Sequence, residues 1–185
     1  ALELLKMEDG HDTYYKEAVC LSDRQGVHQA KVMGEFVKMI QIPIGKIISS
    51  PSCRARETAE YVFGGYDEIK TRLLHFYGNP YGPFDESAEK HYAEVKALLL
   101  SERPNIGVNT IISAHNNTIR QVVVDDVLDA NNLALSEVDW LLEEGGFHVL
   151  KEQEGKLLFV TKFHNFQGFA NLFFQRPENY LPGEK

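Results

Sequence analysis

Two arginines stand at the start of a helix pattern that directly follows an apolar strand: Ile47-Ile48-Ser49-Ser50-Pro51-Ser52-Cys53-Arg54-Ala55-Arg56. A strand that turns into a helix start is where α/β proteins place anions. The first N–H groups of the helix lack partners there, and the helix dipole favours negative charge. An arginine fork suits the same place, because its planar donors hold two phosphate oxygens at once. The plain alternative is an ordinary strand-turn-helix with a surface arginine pair. A second apolar strand, Asn109-Thr110-Ile111-Ile112-Ser113-Ala114, delivers His115 at its C-terminal end. One strand end offers an arginine and another a histidine, and that convergence favours a phosphate site. Arg56 is expected to face solvent or to pair with Glu60 at i,i+4.

The elements that must position these residues are read from periodicity. Ser22 followed by Gln25 resembles a capping box. Val27, Ala30, Met33, Val37 and Ile40 then recur on one helical face, which predicts a helix over 22–40 that ends before Pro43. Next come a strand over 46–49, a helix over 53–63 stopped by Gly64-Gly65, and a short strand over 67–71. Residues 72–86 are rich in aromatics and turn residues, and read either as a lid over a pocket or as a surface connection. Ser87 caps a helix over 87–102 with Tyr92, Val95, Leu98 and Leu99 inward. The strand before His115 is followed by a helix over 119–128, despite the β-branched run Val122-Val123-Val124. A β-hairpin pairs 146–151 with 157–163, and the tail 164–185 is expected to wrap the surface. Alternating strands and helices argue an α/β fold with a mostly parallel sheet, whose ligands bind beyond the strands' C-terminal ends.

The 185 residues suit a single domain spanning 1–185. A net charge of −8 argues against nucleic acid or a membrane surface as partner, while leaving room for a local basic pocket. No apolar run approaches the ~20 residues of a membrane-spanning helix. The two cysteines, Cys20 and Cys53, are expected as unpaired thiols of a reduced, cytoplasmic protein. A single disulfide in an exported protein is the other reading. Each cysteine adjoins a motif read as an active-site edge, so the two are expected near each other. No histidine has metal-site spacing with cysteine or carboxylate partners, so no metal and no cofactor are expected. His11 reads as a loop residue, His28 as outward-facing and His148 as a strand residue, while His75 and His164 read as core or surface residues, with the lining of the pocket as the alternative.

Three stretches together resemble the histidine phosphatase superfamily, the phosphoglycerate mutase-like group. Leu21-Ser22-Asp23-Arg24-Gln25-Gly26-Val27-His28-Gln29-Ala30 resembles its Leu-Ser-x-x-Gly-x-x-Gln-Ala helix start, with one extra residue before the glycine. Ser49-Ser50-Pro51-Ser52-Cys53-Arg54-Ala55 with Thr58-Ala59 resembles its Ser-Ser-Pro-x-x-Arg-Ala-x-x-Thr-Ala. Ile111 through Arg120 resembles the segment around its second histidine, and the likeness covers roughly residues 20–130. The resemblance implies a three-layer α/β/α sandwich and a phosphatase that hydrolyses a phosphate monoester of a small substrate through a phosphohistidine, without a metal. It assigns Arg54 and His115 to the phosphate pocket. Asn116 stands beside them where the family usually has glycine. A carboxyl group must protonate the leaving oxygen, and Glu86 is preferred to Asp85, both in the loop expected to cover the pocket.

One departure is large. The family's nucleophile lies in an Arg-His-Gly or Arg-His-Ala stretch at the end of the first strand, and no Arg-His pair occurs in these 185 residues. Because that strand is central in the family's sheet, the expectation is that the stretch precedes Ala1. The alternative is a non-catalytic phosphate-binding or interaction protein of the same fold. If the chain is exported, a Cys20–Cys53 disulfide is expected to pin the Leu-Ser helix start to the phosphate loop.

Overall fold

Parallel pairing dictates where the site forms, so the sheets come first. The computed structural model describes residues 20–21, 25–74, 87–116, 118, 122, 126–127 and 142–175. Strands β1 (Ile44–Ser49), β2 (Glu68–Ile69) and β3 (Asn109–Ser113) form one sheet in the order β2-β1-β3, parallel throughout. Strands β4 (Asp126–Val127), β5 (Phe147–Gln153) and β6 (Lys156–Phe163) form a second, in the order β4-β6-β5. There β4 runs parallel to β6, and β5 pairs with β6 as an antiparallel hairpin. The chain is therefore a mixed α/β protein. The hairpin turn is tighter than the sequence suggests: Glu154 and Gly155 sit at φ 54° and 76°. Two positive φ values match the twist of paired strands, so the strands run almost up to the turn.

Among the described residues, four helices pack on this framework: α1 (Gly26–Ile40), α2 (Cys53–Phe63), α3 (Ala88–Ser101) and α4 (Phe166–Gln175). Helix α1 begins at Gly26 rather than near residue 22, with Gln25 at its cap and no side-chain capping bond. Ser22, the expected cap, lies outside the described residues. Helix α2 closes on Gly64 at φ 86°, whose N–H reaches the Glu60 carbonyl, as the Gly64-Gly65 pair predicts. Ser87 accepts a hydrogen bond from the Lys90 N–H at 3.2 Å and caps α3. The buried face of α3 is His91, Val95 and Leu99, one every four residues, with Leu98 and Tyr92 only partly covered.

The main core joins both sheets to α3 through Ile48, Leu73, Val95, Leu99, Leu157 and Phe159. A second cluster, Ala30, Val37 and Val62, closes α1 on α2. The crossing is close because Gly34 presents no side chain to the Tyr61 carbonyl. A third cluster sets Phe36 of α1 against Phe166, Phe169 and Ala170 of α4. The expected surface tail over 164–185 is thus corrected at its start: residues 166–175 are helical and aromatic side chains dock them. The expected helix over 119–128 is corrected at its end, where Asp126-Val127 pairs with Leu158-Phe159 as a strand. Among the described residues, no helix is long and apolar enough to cross a membrane.

At the β1–β2 edge, four charges alternate. Lys46 bonds Glu68 at 2.8 Å and Glu102 at 2.6 Å, while Lys70 bonds the same two carboxylates at 2.6 and 3.1 Å. Hydrogen bonds from Lys46 and then Lys70 hold the Glu68 pKa down to about 2.

Candidate phosphate site

The register of β1 on β3 places Ser49 opposite Ser113. Chain continuity then puts the Ser50–Ser52 turn beside Ala114-His115. The turn is fixed through its backbone: the Ser50 N–H donates to the Ser113 carbonyl at 2.8 Å, extending the ladder past β1. The Ser49 hydroxyl donates to the Ser50 carbonyl at 2.8 Å. Helix α2 is tied to the neighbouring strand end by the Ser113 hydroxyl, which donates to the Ala55 carbonyl at 2.7 Å. These bonds bring two parallel strand ends and one helix start to a single point.

At that point Arg54 and His115 meet. The Arg54 Nη2 lies 3.0 Å from His115 Nδ1, and Ser50 Oγ lies 3.0 Å from His115 Nε2. Ser50 is fully buried and His115 nearly so. The Ser52 N–H points at Ser50 Oγ at 3.4 Å. Ser52 caps α2 by position, in extended backbone, yet its side chain accepts no capping bond. Its hydroxyl is buried and makes no hydrogen bond. Two residues far apart in sequence, chosen there for phosphate chemistry, are in direct contact here. A guanidinium and a helix start form a donor set for a tetrahedral anion, and the imidazole packs against the guanidinium.

The other candidates fare differently. Asn116 follows His115, partly buried, and opens the turn in which the Thr118 N–H returns to the His115 carbonyl at 3.0 Å. Asp85 and Glu86 lie outside the described residues, as does His75. Arg56 is partly buried, not turned to solvent. His28 is exposed, and His164 is exposed on the surface with Glu143 3.3 Å away.

Cys20 and Cys53 correct the expectation of unpaired thiols: they form a disulfide with Cα atoms 4.6 Å apart. The physical reason is the path of the chain just before α1. The Leu21 N–H donates to Glu57 of α2 at 2.7 Å, which lays that segment along the first turns of α2 and brings Cys20 onto Cys53. Cysteine, cysteine and Glu57 bring ligand-type atoms within 4.8 Å of one another, but the two sulfurs are committed to each other. Sequence reasoning gave Ser50 no role of its own. The signal was present in the Ser-Ser-Pro turn, whose second serine must lie level with the residues that follow Ser113.

No family model and no curated protein matches the chain. Among solved structures, it is similar to the open reading frame Rv3214 from Mycobacterium tuberculosis, with 19% identity and a TM-score of 0.52. The likeness covers 77% of this chain and 83% of the other, and at that identity it concerns the fold alone.

Proposed function

We propose that this chain is a histidine phosphatase-type domain on a three-layer α/β/α sandwich, which handles the phosphoryl group of a small phosphate monoester. The observation that carries the reading is the contact of Arg54 with His115 at two parallel strand ends, beside the start of α2. In this reading a neutral imidazole attacks phosphorus, an N–P bond forms and the P–O bond to the leaving group breaks. Arg54, positioned by His115, holds the phosphoryl oxygens as charge develops on them. A carboxylic acid protonates the leaving oxygen, and Glu86 and Asp85 are the candidates. Water then attacks phosphorus, the N–P bond breaks and phosphate departs.

A second reading rests on the absence of an Arg-His pair from the 185 residues. It keeps the phosphate site and removes turnover. The two separate on the protein as its native host makes it, assayed with an aryl phosphate and, in parallel, with vanadate binding. The phosphatase reading expects steady hydrolysis, reduced at least about a hundredfold in Arg54→Ala and in His115→Ala, by analogy with the removal of one transition-state donor. Binding without turnover selects the second reading. Wild-type activity in both variants ends the assignment of this site.

A further inference from the structure

We propose that Ser50 is the positioning residue of this pocket: its hydroxyl oxygen accepts the Nε2 proton of His115 and holds the ring in the orientation that keeps Nδ1 against Arg54. The inference rests on the phosphate-site reading for its purpose, but not for its geometry. A guanidinium has donors and no acceptor. His115 Nδ1, 3.0 Å from Arg54 Nη2, must therefore be the accepting nitrogen and carry no proton. A neutral imidazole has one N–H, so that proton is on Nε2, which donates to Ser50 Oγ at 3.0 Å. Ser50 is well suited to receive it. Its N–H is spent on the Ser113 carbonyl and its own carbonyl on the Ser49 hydroxyl, so the backbone beneath the side chain is held on both sides. Ser50 is also wholly buried, and no bulk water competes for its Oγ.

Two consequences follow. A buried serine against a histidine invites a reading as a nucleophile with its base, and the tautomer excludes it. Such a base must accept the serine proton at the facing nitrogen, whereas Nε2 here already carries a proton and gives it to the serine. The contact also keeps the Nδ1 edge of the ring on Arg54, where it fixes the guanidinium. Without Ser50 the Nε2 proton loses its acceptor, while Arg54 still requires Nδ1 to accept, so the ring keeps its tautomer and loses the contact that fixes its orientation.

The test reads the ring directly. In 15N-labelled protein above pH 7.5, long-range proton–nitrogen spectra distinguish the tautomers of neutral histidine. The His115 signals are identified by their loss in His115→Gln. The Nε2–H form is expected throughout, with the Nε2 proton exchanging faster with solvent in Ser50→Ala and slowed again in Ser50→Thr. Inorganic phosphate binding is expected to weaken about three- to tenfold in Ser50→Ala, the effect of one lost hydrogen bond. An Nδ1–H wild type, or an Nε2 proton that exchanges no faster in Ser50→Ala than in the wild type, overturns the proposal. An Nε2–H wild type that neither binds phosphate nor hydrolyses an aryl phosphate supports the contact and overturns the phosphatase reading instead.

Discussion

Gly34→Ala should destabilise the protein, although helix propensity alone says the reverse. In an isolated helix the change gains about 1 kcal/mol, since alanine loses less backbone entropy than glycine. In this fold, a Cβ at Gly34 lands on the Tyr61 carbonyl oxygen and within 3.2 Å of Val62 Cα and O. All three are backbone atoms of α2, and none can rotate away. Restoring a normal separation of about 3.5 Å parts α1 from α2 by the order of 1 Å. That loosens the Ala30, Val37 and Val62 cluster. Overpacking of this kind costs about 3 kcal/mol where the obstruction is rigid. After the propensity gain the net loss is about 2 kcal/mol, or a Tm fall of roughly 4–8 °C for a chain of this size.

Gly168→Ala is the matched control. It lies exposed in α4, and its nearest neighbour beyond the helix backbone is Asn165 Oδ1 at 3.5 Å. It should gain up to about 1 kcal/mol. Urea and thermal unfolding of the three proteins decide the matter. A Gly34→Ala protein as stable as wild type would refute the close crossing that sets α2, and with it Arg54, against the sheet.

The disulfide should contribute more than any single contact near it. Cys20 and Cys53 are separated by 33 residues, and the chain-entropy relation gives about 4 kcal/mol for a loop of that size. The double variant Cys20→Ser, Cys53→Ser should therefore lose about 2–4 kcal/mol in urea unfolding, and a midpoint equal to wild type would sink the idea. Acid should weaken the protein in two windows. His148 lies opposite Lys162 in the hairpin, and burial, then that charge, lower its pKa from 6.5 to about 4. The unfolded chain then binds the extra proton, so stability is lost as pH falls from 6.5 towards 4. Glu68, lowered from 4.5 to about 2, adds a second loss as pH falls through that range. His148→Gln should flatten the first slope and Glu68→Gln the second, read from unfolding curves at stepped pH; unchanged slopes would contradict the assignments.

The parts of this protein that were legible in the sequence are those whose reason is local. Gly64 stops α2 because that position needs a left-handed residue, and Ser87 caps α3 because its hydroxyl can reach the Lys90 N–H. Arg54 and His115 were legible for a different reason: each follows an apolar strand, and α/β topology sends such ends to one edge of a sheet. What escaped depends on long-range placement. Nothing within either motif says that Cys20 reaches Cys53, because the pairing depends on the Leu21 segment lying along α2. Asp126-Val127 becomes strand because β6 offers it an edge, and no local signal near Val122-Val123-Val124 separates that from helix. Helix α4 was readable in principle, since Phe166, Phe169 and Ala170 fall on one helical face, but the pattern gains meaning only with Phe36 opposite.

The same distinction explains why the site is precise without being local. Its three side chains come from a turn, a helix and a strand end, and one pairing coordinates them. With Ser49 opposite Ser113, Ser50 continues the ladder and faces His115, while Ser113 reaches across to Ala55 and fixes the first turn of α2. A shift of one residue between β1 and β3 would invert every side chain on one strand relative to the other. It would carry Ile48 out of the main core and separate Ser50 from His115 together. The burial of Ile48 between the sheets and α3 is therefore also what holds the imidazole against the arginine.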